Sequence, residues 1–316
     1  MTDAATTSID DEQHDTRFVD LVRRLSEQSV VKHFDAYADV DWDAPEMAID
    51  PDDPRFELPA VDPLGATTWY REQPPDIRAR IGLHRIAVAM KVGEQFESVL
   101  KRGLLEFAAR LPNGAPEFRY AYHEVIEEAQ HSLMFQEFVN RSGTGVRGMS
   151  AFIRFLSRRV IILARFFPSL FFIFVLGGED PIDHVQCKAL RDEGMHPLVQ
   201  RIMRIHVTEE ARHLSFARAY LRCRVPQMNV VSRAVLRIAA PLVLGVMAVL
   251  MLAPPRSMVR AYRIPRRVVW RTYVAGASAR REAQDAVSKP RRLCVELGLV
   301  GPITRQLWKA LGIWAA

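Results

Sequence analysis

Two Glu-x-x-His triplets constrain this chain more than any other feature. Glu128-Ala-Gln-His131 and Glu210-Ala-Arg-His213 each sit inside a long run with a helical repeat. Residues at i and i+3 share one face of a helix, so each Glu points the same way as its His. Val125, Met134 and Phe135 flank the first pair, and Ile202, Met203 and Phe216 flank the second, so both faces turn inward. His206 stands one turn before Glu210, which makes 206, 210 and 213 one continuous stripe. An inward stripe of His, Glu and His is costly unless its members are paired or bound to a cation.

Chance explains little of this. With nineteen Glu and nine His in 316 residues, roughly half a Glu-x-x-His triplet is expected at random. The sequence has three. Glu193-Gly-Met-His196 is read as the accident, because Gly194 and Pro197 break the helix there and leave its two side chains no common face.

The apolar repeat predicts an all-α chain. Ile86, Met90, Gly93, Phe96, Leu100, Leu104, Phe107 and Leu111 recur at three- and four-residue steps over 76–111, the period of a helix with one buried face. Pro112-Asn113-Gly114 ends that helix. Further helices are predicted over 116–140, 149–167, 169–193 and 197–224, punctuated by Ser142 to Gly145, Pro168, the Gly194/Pro197 pair and Pro226. No alternation of strand type and no internal repeat is found. Residues 1–75 are rich in Pro and Asp, and predict one short helix over 18–33 in otherwise irregular chain wrapping the core, with 1–15 disordered. Three parts follow: an acidic N-terminal segment (1–75), a helical bundle (76–225), and C-terminal helices, first apolar and then basic, packed on it (226–316).

Composition limits the function classes. Hydrophobic residues make up 49% and charged residues 25%, as in an ordinary globular protein. Three cysteines without a CxxC spacing argue for a reducing compartment, and the N-terminus lacks a signal-peptide pattern, so a cytoplasmic location is expected. Arg256 to Arg292 carries eleven Lys or Arg against Glu282 and Asp285. Without interleaved aromatic residues this reads as a solvated face, not a nucleic-acid groove. A membrane-spanning helix needs about twenty apolar residues. Pro241 and Pro254-Pro255 leave about a dozen helical positions in the uncharged stretch 238–255, and Arg165 and Pro168 interrupt the Phe-rich stretch 166–178. Both read as core helices. Peripheral contact of the 238–255 helix with an anionic membrane, beside Arg256 to Arg271, is the alternative.

Carboxylates and imidazoles together suit iron or manganese, while the absence of thiolates and the number of ligands argue against zinc. A two-metal bundle takes one lone Glu from each of two helices and a Glu-x-x-His from each of the other two. Glu179, after the apolar run Phe171 to Gly178, is the lone Glu before the second triplet. Before the first, Glu94 and Glu97 are both available; periodicity places Glu97 nearer the apolar stripe and Glu94 at its edge.

The order Glu94, Glu128-x-x-His131, Glu179, His206-x-x-x-Glu210-x-x-His213 resembles the di-iron N-oxygenase family typified by p-aminobenzoate N-oxygenase, over about residues 80–225. His206 is the specific part, since ordinary ferritin-like oxygenases lack a histidine there. The family's spacing selects Glu94, 34 residues before Glu128, over Glu97 at 31. The resemblance implies a ferritin-like four-helix bundle core with additional N- and C-terminal helices. It implies two carboxylate-bridged iron ions, with manganese as an alternative, held by Glu94, Glu128, His131, Glu179, His206, Glu210 and His213. It further implies dioxygen as co-substrate, a peroxo species, oxidation of an aryl amine, and an external electron donor such as a reductase or ferredoxin. Glu127, Glu209 and Asp180 are near in sequence to act as acceptors behind the ligand imidazoles, and Arg212 is expected to pair with a carboxylate. Residues 1–75 and the last hundred show no assignable match, which leaves the substrate open. An oxidase of the hydroxylase or desaturase type acting on a lipophilic substrate, and a non-catalytic ferritin-like iron-binding protein, are the alternatives. A homodimer is the default assembly.

Overall fold

Proline opens each of four long helices, at the position where its missing N–H costs nothing. In the computed structural model, which describes residues 3–315, Pro75, Pro116, Pro168 and Pro197 begin α3 (Pro75–Ala108), α4 (Pro116–Ser142), α6 (Pro168–Ala189) and α7 (Pro197–Arg224). Before them come α1 (Asp3–Val31) and the single turn α2 (Thr68–Arg71); α5 (Ala151–Phe166) lies between α4 and α6. After them follow α8 (Val230–Leu252), α9 (Arg256–Ala261), α10 (Arg266–Trp270), α11 (Ala277–Ala286), α12 (Ser288–Glu296) and α13 (Pro302–Ala310). Among the described residues there is no strand. The fold is all-α.

α3 packs along α4 and α6 along α7, while α4 also meets α7 and α3 meets α6, which closes a four-helix bundle. α1 lies on α4 and α7, α5 on α3 and α6, and α8 on α6. Two apolar clusters fill the bundle. One holds Phe96, Leu100, Phe107, Tyr120, Phe171, Phe172, Phe216 and Tyr220. The other holds Met90, Met134, Phe135, Phe138, Leu198, Val199, Ile202 and Ile205. Chain order through these clusters fixes the directions. α3 and α7 leave the second cluster and enter the first; α4 leaves the first and enters the second. On α4 and α7 the inward Glu and His residues fall between the two, and on α3 Glu97 follows directly on Phe96, where the first cluster begins, so the bundle carries a polar layer near mid-height.

Gly178 sets how closely α6 approaches α3. A Cβ there would lie 2.0 Å from the Phe96 ring, so only glycine lets α6 come this near.

Two expectations are corrected. α1 spans Asp3–Val31 where a short helix over 18–33 is expected, and residues 1 and 2 of the segment expected to be disordered lie outside the described residues. Phe18, Val22 and Leu25 are buried in the first cluster; once that part of α1 is fixed, each further residue adds a hydrogen bond without a new nucleation cost. Pro241 does not end the apolar helix, because α8 runs through it. Val230–Ala261 is, by length and composition, apolar enough to cross a membrane, and 39% of its most apolar window is buried. Leu236, Ala240, Leu244, Met247 and Ala248 belong to the core, while Val231, Val235, Ile238, Leu242, Val246 and Val249 form an exposed outer stripe. The arginines at 256, 260, 263, 266, 267 and 271 are exposed.

Candidate metal centre

Each helical hairpin brings its Glu and His residues to one height. Glu97 lies 11 residues before the end of α3 and Glu128 12 after the start of α4. Glu179 lies 10 before the end of α6, and His206 and Glu210 lie 9 and 13 after the start of α7. Donor atoms of Glu97, His131 and His206 fall within 4.8 Å of one another. The same holds for Glu128, His131 and Glu210, for Glu179, His206 and Glu210, and for Glu124, Glu128 and His213. Shared members join these groups into one cluster, and every one of the eight side chains is buried.

The cluster is short of hydrogen bonds. Both oxygens of Glu97 and of Glu179, Oε2 of Glu124 and of Glu210, Oε1 of Glu128, and Nε2 of His206 have no partner. A buried polar atom left unmade costs roughly 1–3 kcal/mol, and native proteins leave few. Such a concentration at one point does not suit a structural network and does suit a donor set built to hold cations.

The three imidazoles are held from behind. His131 Nε2 lies 2.9 Å from Glu209 Oε2, while its Nδ1 faces Glu128. His213 Nε2 lies 2.7 Å from Glu127 Oε2, while its Nδ1 faces Glu210. His206 Nδ1 lies 2.8 Å from Gln186 Oε1, and its Nε2 points at Glu97, 3.5 Å away. Each ring can therefore donate outward and keep a lone pair directed at the carboxylates, as a ligating histidine requires. Arg212 Nη2 joins the two outer acceptors, at 2.8 Å from Glu127 and 3.4 Å from Glu209. The Phe34 N–H, just beyond α1, donates to Glu209 as well.

Six of the seven sequence-predicted ligands are thus brought together: Glu128, His131, Glu179, His206, Glu210 and His213. Glu94 is not among them. It pairs with Lys91 at 2.8 Å on the partly exposed edge of α3, and Glu97 occupies the buried place. The spacing taken from the family presumes a connection of unchanged length, whereas here the height of α3 against α4 sets Glu97 level with Glu128. Asp180 also differs from expectation, since it pairs with Arg218 and not with an imidazole. The discarded triplet stays separate: Glu193 is exposed, and His196 caps α7, its ring stacked on Phe56 at 4.4 Å. Two residues escaped the sequence reading, Glu124 and Gln186. Glu124 is four before Glu128 on the same helix face, a spacing that could have flagged it; Gln186 carries no comparable signal.

Without metal, these carboxylates cannot all ionise. Burial, together with the facing Glu128 and Glu179, holds Glu97 well above the usual carboxylate range. Burial, with Glu210 and Glu128, does the same to Glu179. Burial takes Glu124 to about 8 although His213 opposes it. Burial also works against charge on Glu127, but His213 and Arg212 outweigh it and bring that group down to about 2. For His131 burial disfavours the cation, yet Glu128 and Glu209 prevail and raise it to about 9. His206 is held well below its usual value by burial and by His131 beside it. Bound metal would displace the protons, since ligand carboxylates and imidazoles must lose them. The donor set exceeds the needs of one tetrahedral ion, and its mix of oxygen and nitrogen suits iron or manganese.

Residues 15–298 match the family of p-aminobenzoate N-oxygenase AurF. The chain belongs to this family. The match reaches well beyond 80–225, taking in most of α1 and the helices through α12. Uncharacterized proteins of Mycobacterium tuberculosis and Mycobacterium bovis are similar to this chain: they are 41% identical to it over 296 residues, covering 93% of this chain and 87% of theirs. No solved structure matches. Two surface cavities, of about 450 and 230 Å³, are lined by none of the eight clustered residues.

Proposed function

We propose that the protein is a di-iron oxygenase that oxidises the nitrogen of a small amine, of the aryl-amine type. The convergence of unpartnered, buried carboxylate and imidazole atoms in a member of an N-oxygenase family carries this reading. Glu97, Glu128, His131, Glu179, His206, Glu210 and His213 would hold the metal, with Glu97 grouped with His131 and His206, and Glu128 with His213. Iron, when bound, supplies the electron transfer and open positions for dioxygen that no side chain here can offer. In the balanced first step, amine, dioxygen, two electrons and two protons give hydroxylamine and water, the electrons coming from an external reductase or ferredoxin. The chain's own contribution is geometric: Glu127, Glu209 and Gln186 orient the imidazoles, Arg212 fastens two of those acceptors, and the apolar clusters above and below exclude water.

Anaerobic loading with iron(II), followed by reductant, labelled dioxygen and a panel of aryl amines, tests the proposal. Two irons per chain and labelled hydroxylamine or nitro product are expected. Full iron occupancy with no label in any amine product would overturn the substrate assignment. The exposed apolar stripe of α8 favours a second reading, in which the substrate is lipophilic. Fatty-acyl ligands, and not aryl amines, would then perturb the iron spectrum. Parallel loading with manganese(II) decides the metal.

A further inference from the structure

We propose, on the two-metal reading above, that Glu124 is an eighth metal donor, a fifth carboxylate serving the ion on the His213 side. It lies outside the seven positions that the family resemblance supplies. Glu124 precedes Glu128 by one turn of α4, so the two project from the same face. Its donor atom lies within 4.8 Å of those of Glu128 and His213. The side chain is 1% exposed, and Oε2 has no hydrogen-bond partner.

The nearby arginines and lysine are engaged elsewhere. Arg212 pairs with Glu127 and Glu209, and Arg218 with Asp180. Lys101 is bound to the Glu128 carbonyl and the Ser132 hydroxyl. The charged group that faces Glu124 is His213, which Glu210 and Glu128 share; Glu124 Oε2 stays buried without a hydrogen bond, a liability to the fold that a purely structural role leaves unexplained. A metal ion beside His213 explains it directly, because the same ion would satisfy Glu124, Glu128 and His213.

The consequence is an uneven pair of sites. The side built from Glu97, His131 and His206 has two imidazoles to one carboxylate, whereas Glu124 and His213 give the other side one of each. The second side is the harder, more oxygen-rich of the two, and hard ligands suit hard ions. Five ionised carboxylates over-neutralise two divalent ions and nearly balance two trivalent ones, so Glu124 favours the oxidised pair.

The test uses the full chain carrying Glu124→Gln or Glu124→Asp. Iron(II) is titrated anaerobically with elemental analysis, the oxidised samples are examined by electron paramagnetic resonance, and the metal-free proteins are melted. Wild type should bind two ions. Glu124→Gln should keep the ion held by Glu97, His131 and His206 and bind the second at least about tenfold more weakly, leaving an uncoupled ferric signal. Glu124→Asp, which keeps the charge, should restore part of the second ion. Metal-free Glu124→Gln should melt no lower than wild type. The proposal is wrong if Glu124→Gln binds both ions as tightly as wild type with an unchanged coupled pair, or if it only destabilises the metal-free protein. A wild type that binds fewer than two ions would instead sink the two-metal reading itself.

Discussion

Glu97→Gln should strip metal from the centre while leaving the metal-free protein folded, and Glu94→Gln should do neither. Glu94 makes one ion pair with Lys91, with side chains 23% and 20% exposed. Pairs of that kind contribute roughly 0.5 kcal/mol or less, so its loss should move the melting midpoint by about 1 °C. Glu97 is fully buried, and without metal its neighbours and its burial keep it protonated. An amide then replaces a neutral acid of the same shape, and the metal-free stability should change by no more than about 1 kcal/mol. With metal the comparison reverses. Removing a residue that merely orients a ligand costs about 10–100-fold in affinity, so losing a donor should cost about 100-fold or more, near 2.8 kcal/mol. At a metal concentration giving wild type about 4 kcal/mol of stabilisation, the variant would retain about 1.4 kcal/mol. Melting with and without iron(II) under nitrogen, beside metal analysis, separates these outcomes. Loss of metal-dependent stabilisation in Glu94→Gln with its retention in Glu97→Gln would refute the assignment.

Three further outcomes are expected. Arg212→Met removes the guanidinium that Glu127 and Glu209 share and leaves each only its histidine partner, so it should cost about 1.5–3 kcal/mol in urea unfolding; a loss below about 1 kcal/mol would show that Arg212 is not the brace. Metal-free stability should fall as pH rises from 6.5 to 9. His131, raised to about 9, contributes stability that is full below its unfolded value and lost through 9, and Glu124, raised to about 8, loses its contribution through 8. Glu127 acts in the opposite sense but only at acid pH, so denaturation curves that steepen in stability across this alkaline window would contradict the assignment. Gly178→Ala should cost about 1–3 kcal/mol, because the new Cβ meets the buried Phe96 ring at 2.0 Å, and it should lower metal occupancy by moving α3 at Glu97; unchanged melting and metal content would show that the ring simply swings aside.

The bundle was legible because its signals are local. Apolar steps of three and four and a proline at the first helical position mark α3, α4, α6 and α7, and paired Glu-x-x-His triplets exceed chance. The choice between Glu94 and Glu97 was not legible, since both lie on neighbouring faces of α3 and the decision rests on its height against α4. Gln186 was hidden for the same reason: nothing about an isolated amide announces that it meets His206 across two helices. Pro241 misled in the other direction. A proline inside a helix costs about 3 kcal/mol, but Leu236, Ala240, Leu244, Met247 and Ala248 bury the inner face of α8, and that packing outweighs the lost hydrogen bond. Likewise α1 has little apolar content before Phe18, so its helicity depends on docking that no local pattern records.

The placement of the polar layer ties metal retention to the rest of the fold. The first apolar cluster holds α3, α4, α6 and α7 together and the second holds α3, α4 and α7, so the donors would be positioned before any ion arrives. The layer itself opposes folding, with acids forced to keep protons and several atoms unpartnered. Metal binding would therefore stabilise the native state by relieving a cost already built into it, and chelation of the loaded protein should lower stability without dissolving the bundle. The outer acceptors extend the coupling to the N-terminal segment. Glu209, which orients His131 and pairs with Arg212, also accepts from Phe34, and Gln130, beside His131 in sequence, binds Ala36 and Asp35. Detaching residues 34–36 would remove a donor from the carboxylate that sets the His131 ring, so a change far from the ions in sequence should still weaken the site that His131 shares with Glu97 and His206.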